Sequence, residues 1–346
     1  MNTIKENVKL LEFSRTLIMF IGRMLRGFLI PYFLGSSKYA IYLRIVALYR
    51  FSNLFEFGIR QWAIELYKNS SDKSIPIFRI IWINLLISLP ALLIGFIMDF
   101  NIIQTICVYL FWCSYNLKYI LSQILPYSKR WQDLFKIELL TFLVLFIGIV
   151  IFYYLSNIYT LLILDISISI LIICFFIYKI KNQKISNLKL KFDISHKLKT
   201  LQEFIVGNGD SLFLLLISDA IRPIFGLSFA FSGLFLYLTE YTSNRFVVSN
   251  KSLRYTSKVY LLTSLAFIIS YIILFNGPVQ YFYEWAEFNL LIPIALGFNL
   301  FFKLSYSLLR KEDLIGEKNS SDLKRRRNLT VIFNIITLCL LYYYFY

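Results

Sequence analysis

Runs of mostly apolar residues recur along this chain, separated by short segments that carry most of its charge. Each run is about 20 residues long, enough to cross the hydrocarbon layer of a bilayer at a helical rise of about 1.5 Å per residue. The pattern predicts eleven spans, at 11–33, 40–62, 77–98, 104–125, 134–155, 160–179, 201–221, 224–243, 258–276, 289–309 and 329–346. The second, seventh and tenth are interrupted by polar residues. The expected fold class is an all-α integral membrane protein.

The intervening segments test that count, because Lys and Arg accumulate in short cytoplasmic loops. With the N-terminus inside, the cytoplasmic segments hold Lys5, Lys9, Lys68, Lys73, Lys129 and Arg130, then seven lysines between Lys179 and Lys199. They continue with Arg245, Lys251, Arg254 and Lys258, and end with Arg310, Lys311, Lys318, Lys324, Arg325, Arg326 and Arg327. The outer segments hold only Lys38 and Arg222, a bias of 24 to 2. Gaining or losing one span would scramble this alternation from that point onward, so the bias predicts a multi-pass protein with a cytoplasmic N-terminus.

Composition agrees: 58% of the residues are hydrophobic and 16% charged, with a mean hydropathy of +0.65. A soluble domain is apolar at roughly 45–50% of its positions. The net charge of +16 sits in loops where it sets topology, not on one soluble face, so no nucleic-acid partner is expected. The first apolar run carries Arg15, Arg23 and Arg26 and lacks a small-residue cleavage site, so it is expected to remain as the first span. Cys107, Cys113, Cys174 and Cys339 fall inside predicted helices without metal-type spacing, which predicts neither disulfides nor a zinc site.

The longest cytoplasmic segment, 179-KIKNQKISNLKLKFDISHKLK-199, divides the chain. It separates an N-terminal bundle of about six helices (1–182) from a C-terminal bundle of about five (201–346), with 183–200 as a basic linker. The outer segment 276-NGPVQYFYEWAEFN-289 is aromatic and mildly acidic, as an interfacial belt would be.

Ionisable residues at bilayer depth are the candidate chemistry, since each costs at least ~2.5–3.5 kcal/mol to insert. Arg15, Arg60, Arg79 and Lys136 lie near cytoplasmic ends, where long side chains snorkel to water. Arg23, Arg26, Arg50 and Lys118 lie nearer mid-depth. At about 100° per residue, Arg15 and Arg26 fall about 20° apart and Arg23 about 80° from Arg15, so one face of the first helix is cationic. That face must meet carboxylates or a wet cavity. The acids within spans are few: Glu56, Glu138, Asp165, Asp210 and Asp219, with Glu56 placed to pair with Arg60 four residues on. Two readings follow: structural ion pairs, or a cationic cavity receiving an anion, for which the planar guanidinium suits phosphate. Lys303 sits four residues after Asn299 in the tenth span and joins the cationic candidates. Asp210 follows 206-VGNG-209, a helix-weakening run that reads as a kink or as a close packing contact. Asp165, near the outer end of its helix, reads as a solvated or paired acid or as a proton carrier. His196 reads as a surface residue of the basic loop.

Enzyme signatures are missing. No GxxxxGK[ST] is present, so ATP is not hydrolysed by that route. There is no HExxH and only one histidine. Acidic pairs of the kind that hold a divalent metal with a sugar-nucleotide diphosphate are absent. Neither a catalytic residue nor a metal or cofactor is expected.

The stretch 31-PYFLGSSKYAIYLRIVALYRFSNLFEFGIRQWAIELY-67 resembles the N-terminal signature of bacterial polysaccharide repeat-unit (O-antigen/capsule, Wzx-type) flippases of the multidrug/oligosaccharidyl-lipid/polysaccharide exporter superfamily. The matching elements are a P-x-x-LG corner at Pro31, Leu34 and Gly35, then Tyr39 and Tyr42, and an acidic-Phe-Gly turn at Glu56, Phe57 and Gly58. The second half reopens with 208-NGDSLFLLL-216, similar to the family's element through Asp210. The chain departs from the pattern at 218-SDAIRP-223, where an LG is usual, at Ser211 where the family has Arg, and in ending after eleven spans where twelve or fourteen are usual.

The resemblance implies two pseudo-related helical bundles around a central cavity, in the bacterial cytoplasmic (inner) membrane. It implies alternating access that moves an undecaprenyl-diphosphate-linked oligosaccharide from the cytoplasmic to the outer leaflet. Membrane lipids, a polysaccharide polymerase and a chain-length regulator are the implied partners. Arg23, Arg26, Arg50, Lys118 and Lys303 would then line a cationic cavity for the diphosphate, and Asp210 or Asp165 would couple transport to an ion. Alternative readings are a membrane polysaccharide polymerase of the same pathway, which would need a larger outer loop than 276–289, or a small-molecule exporter of the same superfamily.

Overall fold

A computed structural model of the chain describes residues 2–52, 77–98, 100–122, 131–155, 157–179, 201, 205–206, 209–248, 253–286, 288–315 and 320–345. Among them every regular element is helical, as the apolar runs predict. The elements are α1 (Asn2–Ser52), α2 (Ile77–Ser88), α3 (Pro90–Ile97), α4 (Ile102–Ser122), α5 (Trp131–Leu155), α6 (Ile158–Lys179), α7 (209–216), α8 (Arg222–Val248), α9 (Leu253–Phe275), α10 (Pro278–Phe282), α11 (Leu291–Ile315) and α12 (Ser320–Phe345). Four helical stretches, Thr16–Arg50, Phe135–Leu155, Ile158–Phe175 and Lys258–Phe275, are long and apolar enough to cross a membrane. Shorter apolar stretches occur at Ile77–Leu93, Arg222–Leu236, Leu291–Tyr306 and Asn328–Tyr344.

Local chemistry explains where the helices break. The corner predicted between the first two spans shrinks to one residue: the helical path of α1 is interrupted at Gly35, with φ 68° and ψ 175°, while Pro31 stays inside the helix. A side chain essentially never adopts that conformation. The third predicted span is two helices, because Pro90 has no N–H to give to the carbonyl of Leu86. The Leu89 N–H takes that carbonyl instead, at 3.2 Å. Asparagines start the fourth, sixth and tenth predicted spans. Asn101 and Gln104 exchange side-chain-to-backbone hydrogen bonds of 2.8 and 3.0 Å at the start of α4. Asn157 Oδ1 accepts from the Tyr159 N–H, and Asn289 Oδ1 from the Leu291 N–H. Each satisfies a donor that a helix start would otherwise leave open.

The described chain forms two compact units. The first comprises Met1–Gly22 and Leu48–Thr200, the second Arg23–Ala47 and Leu201–Tyr346. In the first, α4 packs against α2, α3 and α6, and α5 against α6, around Val108, Trp112 and Phe152, all fully buried. Two polar side chains there reach backbone: Asn84 Nδ2 donates to the Cys113 carbonyl at 2.7 Å, and the Tyr109 hydroxyl to that of Leu85 at 3.3 Å. In the second, α11 packs against α8, α9 and α12. Its core is aromatic, with Phe231 edge-on to Tyr271 and Phe275, and Tyr271 stacked on Phe275 at 3.7 Å. The Tyr271 hydroxyl shares a hydrogen bond of 2.6 Å with Ser228 Oγ.

The helices are amphipathic the wrong way round for water. Along α6, Leu161, Leu162, Asp165, Ile168, Ser169 and Ile172 form the buried stripe, while Ile163, Ile170, Leu171 and Ile177 are exposed. Along α12, Thr330 and Asn334 are buried while Ile332, Phe333 and Leu340 are exposed. A helix with polar groups inward and large apolar side chains outward is at home in lipid.

Candidate functional site

The second unit holds most of the charged residues that the structure brings together. At the 217–221 corner, Arg44 from α1 grips Asp219 with one guanidinium nitrogen, 2.7 Å from Oδ1 and 2.9 Å from Oδ2. Arg222, the first residue of α8, pairs with the same carboxylate. Arg222 is buried, contrary to its place among the outer-loop charges. Its Nε donates to the Leu214 carbonyl at 2.6 Å and its Nη2 to that of Ile217 at 2.5 Å. Those carbonyls close α7, where a helix end has no N–H of its own to offer. The departure 218-SDAIRP-223 thus has a structural reason: an arginine caps the helix end, and an aspartate ties it to α1. Sequence reading missed this because Arg222 lies in a polar turn, where charge normally means solvent.

Deeper in the same unit, Lys303 Nζ lies 3.3 Å from Asp210 Oδ2, and their side chains are only 9% and 11% exposed. The fold joins a residue predicted for the cationic cavity to the residue predicted for ion coupling. An ammonium and a carboxylate so placed offset part of each other's desolvation cost. Arg23 and Arg26 belong to the second unit, the first exposed and the second partly buried. Arg50 and Lys118 belong to the first, both partly buried. There Lys118 Nζ lies 4.8 Å from the centre of the Tyr115 ring, a cation–π contact. Tyr115 in turn packs edge-on against Tyr49, with ring centres 4.4 Å apart.

Asp165 is 3% exposed, which leaves the paired acid and the proton carrier among its expected readings; it lies on the inner stripe of α6, where Ser169 Oγ donates to its backbone carbonyl at 2.8 Å. Glu56, Arg60, Gly58 and His196 lie outside the described residues. All four cysteines are free, and among the described residues no group of metal-ligating side chains gathers.

The aromatic segment after α9 has two faces. Tyr281 and Phe282 are exposed, as an interfacial belt requires. Tyr283 turns inward: its ring packs edge-on against Tyr32 and its hydroxyl donates to the Phe28 carbonyl. Burial, with Tyr32 beside it, holds the Tyr283 phenol above its ordinary pKa, so it remains a donor. Trp285 meets Tyr39 at 6.4 Å.

No family model and no curated protein sequence matches this chain. Among solved structures, one similar chain is a crystal structure of MATE in the bent conformation, with 12% identity, covering 98% of this chain and 93% of its own, at a TM-score of 0.36. Another is the inward-facing conformation of a multidrug resistance MATE family transporter of the MOP superfamily, with 11% identity, covering 96% and 93%, at a TM-score of 0.39. Scores this low align length and helix content without establishing a common arrangement.

Proposed function

We propose that this chain is a membrane transporter that moves an undecaprenyl-diphosphate-linked oligosaccharide across the bacterial inner membrane, from the cytoplasmic to the outer leaflet, by alternating access. The observation that carries this reading is the placement of Arg23 and Arg26 inside a helical stretch, Thr16–Arg50, apolar enough to span. Guanidinium groups at that depth mark ligand pathways in membrane proteins, and a diphosphate offers acceptors that suit their planar, bidentate donors. The signature at 31–67 supports the same substrate class. Asp210, paired with Lys303, is the coupling acid. The N-terminus is cytoplasmic, as the loop charges require.

Complementation of a strain lacking its own repeat-unit flippase tests the reading. Wild type should rescue surface polysaccharide in the cognate sugar background, and Arg23→Ala/Arg26→Ala should fail at equal membrane abundance. Rescue by the double variant would remove the arginines from the substrate site. Repeat units accumulating on the outer leaflet of a deletion strain would favour a polymerase instead.

A further inference from the structure

Two asparagines in the second unit are buried with polar atoms that no partner satisfies. Asn334 is 0% exposed and neither its Oδ1 nor its Nδ2 is hydrogen-bonded; Asn299 is 2% exposed and its Nδ2 is likewise unmatched. Such groups cost about 1–3 kcal/mol each when left unsatisfied. Their positions coincide with the Asp210–Lys303 pair. Val206, Tyr306 and Val331 form one apolar layer where three helical segments meet. Three or four positions along the sequence from Val206, Tyr306 and Val331 stand Asp210, Lys303 and Asn334. Asn334 Oδ1 lies 3.5 Å from where a side chain on Gly209 would begin, so the two helices approach closely beside Asp210. Asn299 stands one turn beyond Lys303 on the same face of α11. The polar layer is therefore sealed on the side of Val206 by apolar side chains and continues toward Asn299 on the other.

We propose that Asp210, Lys303, Asn334 and Asn299 form a hydrated polar pocket that holds ordered water and gives the Lys303 ammonium a second acceptor, Asn334 Oδ1, when Asp210 is protonated. Buried water is found where a site is polar and offers each molecule two to four partners; the carboxamides and the ion pair supply them. When an excess proton from bulk solvent, relayed through this water, reaches an Asp210 oxygen, the carboxylate becomes a neutral acid and the water is left unchanged. The ammonium keeps its three protons and donates one to Asn334 Oδ1, so it is never left buried without an acceptor. The titratable groups on the segments meeting here are Asp210 itself, Lys303 and, one turn away, Tyr306; α12 carries none between Arg327 and Cys339. Asn334 is thus a positioning residue. Its use in transport rests on the reading of Asp210 as the coupling acid, whereas the pocket rests on burial and hydrogen-bonding capacity alone.

Hydroxyl-radical labelling of the full chain in nanodiscs, with radicals generated by X-rays, reads bound water directly. Tyr306, 7% exposed beside the pocket, should be labelled several-fold more than Tyr49, 5% exposed among the rings of Phe111 and Tyr115, and Asn334→Leu should bring Tyr306 down to the Tyr49 level. A thermal double-variant cycle checks the second acceptor: Asp210→Asn imitates the neutral acid, and Asp210→Asn/Asn334→Leu should lower Tm by more than the two single changes added together. Equal labelling of the two tyrosines in wild type, or an additive cycle, overturns the proposal; should Asn334→Leu not accumulate, Asn334→Ala serves in the cycle and the wild-type labelling stands by itself. Neither measurement uses transport, so a dry pocket would leave the flippase reading intact, and failed complementation would leave the pocket intact.

Discussion

Single residues settle how this chain breaks and closes its helices. Gly35 has open space where a Cβ would stand, so its requirement is conformational and not steric. Gly35→Ala should cost roughly 1–3 kcal/mol, measured as a lowered Tm of the purified protein in detergent with no loss of helical circular dichroism. Arg222 gives a sharper contrast. Removing it leaves the last carbonyls of α7 without donors, each charge-assisted bond having contributed about 1.5–3 kcal/mol. Neutralising Asp219, which is largely exposed, leaves those bonds in place. Arg222→Leu should therefore destabilise by about 3 kcal/mol or more, and Asp219→Asn by clearly less. Equal effects in chemical denaturation would show that the ion pair, and not the helix cap, holds the corner.

At the scale of elements, the register of the spans was legible from hydrophobic runs and loop charge. The predicted 134–155 is found as Trp131–Leu155, 160–179 as Ile158–Lys179, and 258–276 as Leu253–Phe275. Apolar length is the dominant constraint on a helix in lipid, and it is written locally. The split at Pro90 follows from a missing donor and was open to the same reading. Less legible was which faces meet. Helix contact in a membrane rests on close approach of small residues, and a glycine in sequence does not say which neighbour it faces. Gly226 of α8 packs directly on the Leu43 side chain of α1, so close that a Cβ there would clash. Gly226→Ala should cost about 1–3 kcal/mol through overpacking. Adding Leu43→Ala should restore part of that loss, whereas an additive double variant would mean that the two do not share one contact.

Across the whole molecule, the charge pattern of the loops makes a topology that can be read from either side of the membrane. On a cysteine-free background, a cysteine at Glu284, exposed in the segment after α10, should react with a membrane-impermeant maleimide added to intact spheroplasts. A cysteine at Lys324, in the basic start of α12, should react only after the membrane is opened. Labelling of both from outside would overturn the eleven-span alternation.

The helical class and the membrane as solvent were determined by the sequence alone, because apolar length acts locally and independently of how helices later pack. The list of charged residues at depth was equally plain. Their partnerships were decided only by tertiary structure. Arg44 and Asp219 are 175 positions apart, and Lys303 meets Asp210 across about half that stretch of chain. Asn334, with no motif around it, acquires meaning only from the layer it shares with them. An ion pair in low dielectric is defined by a few ångströms of separation, and separation in space is what a string of residues leaves open until the helices pack.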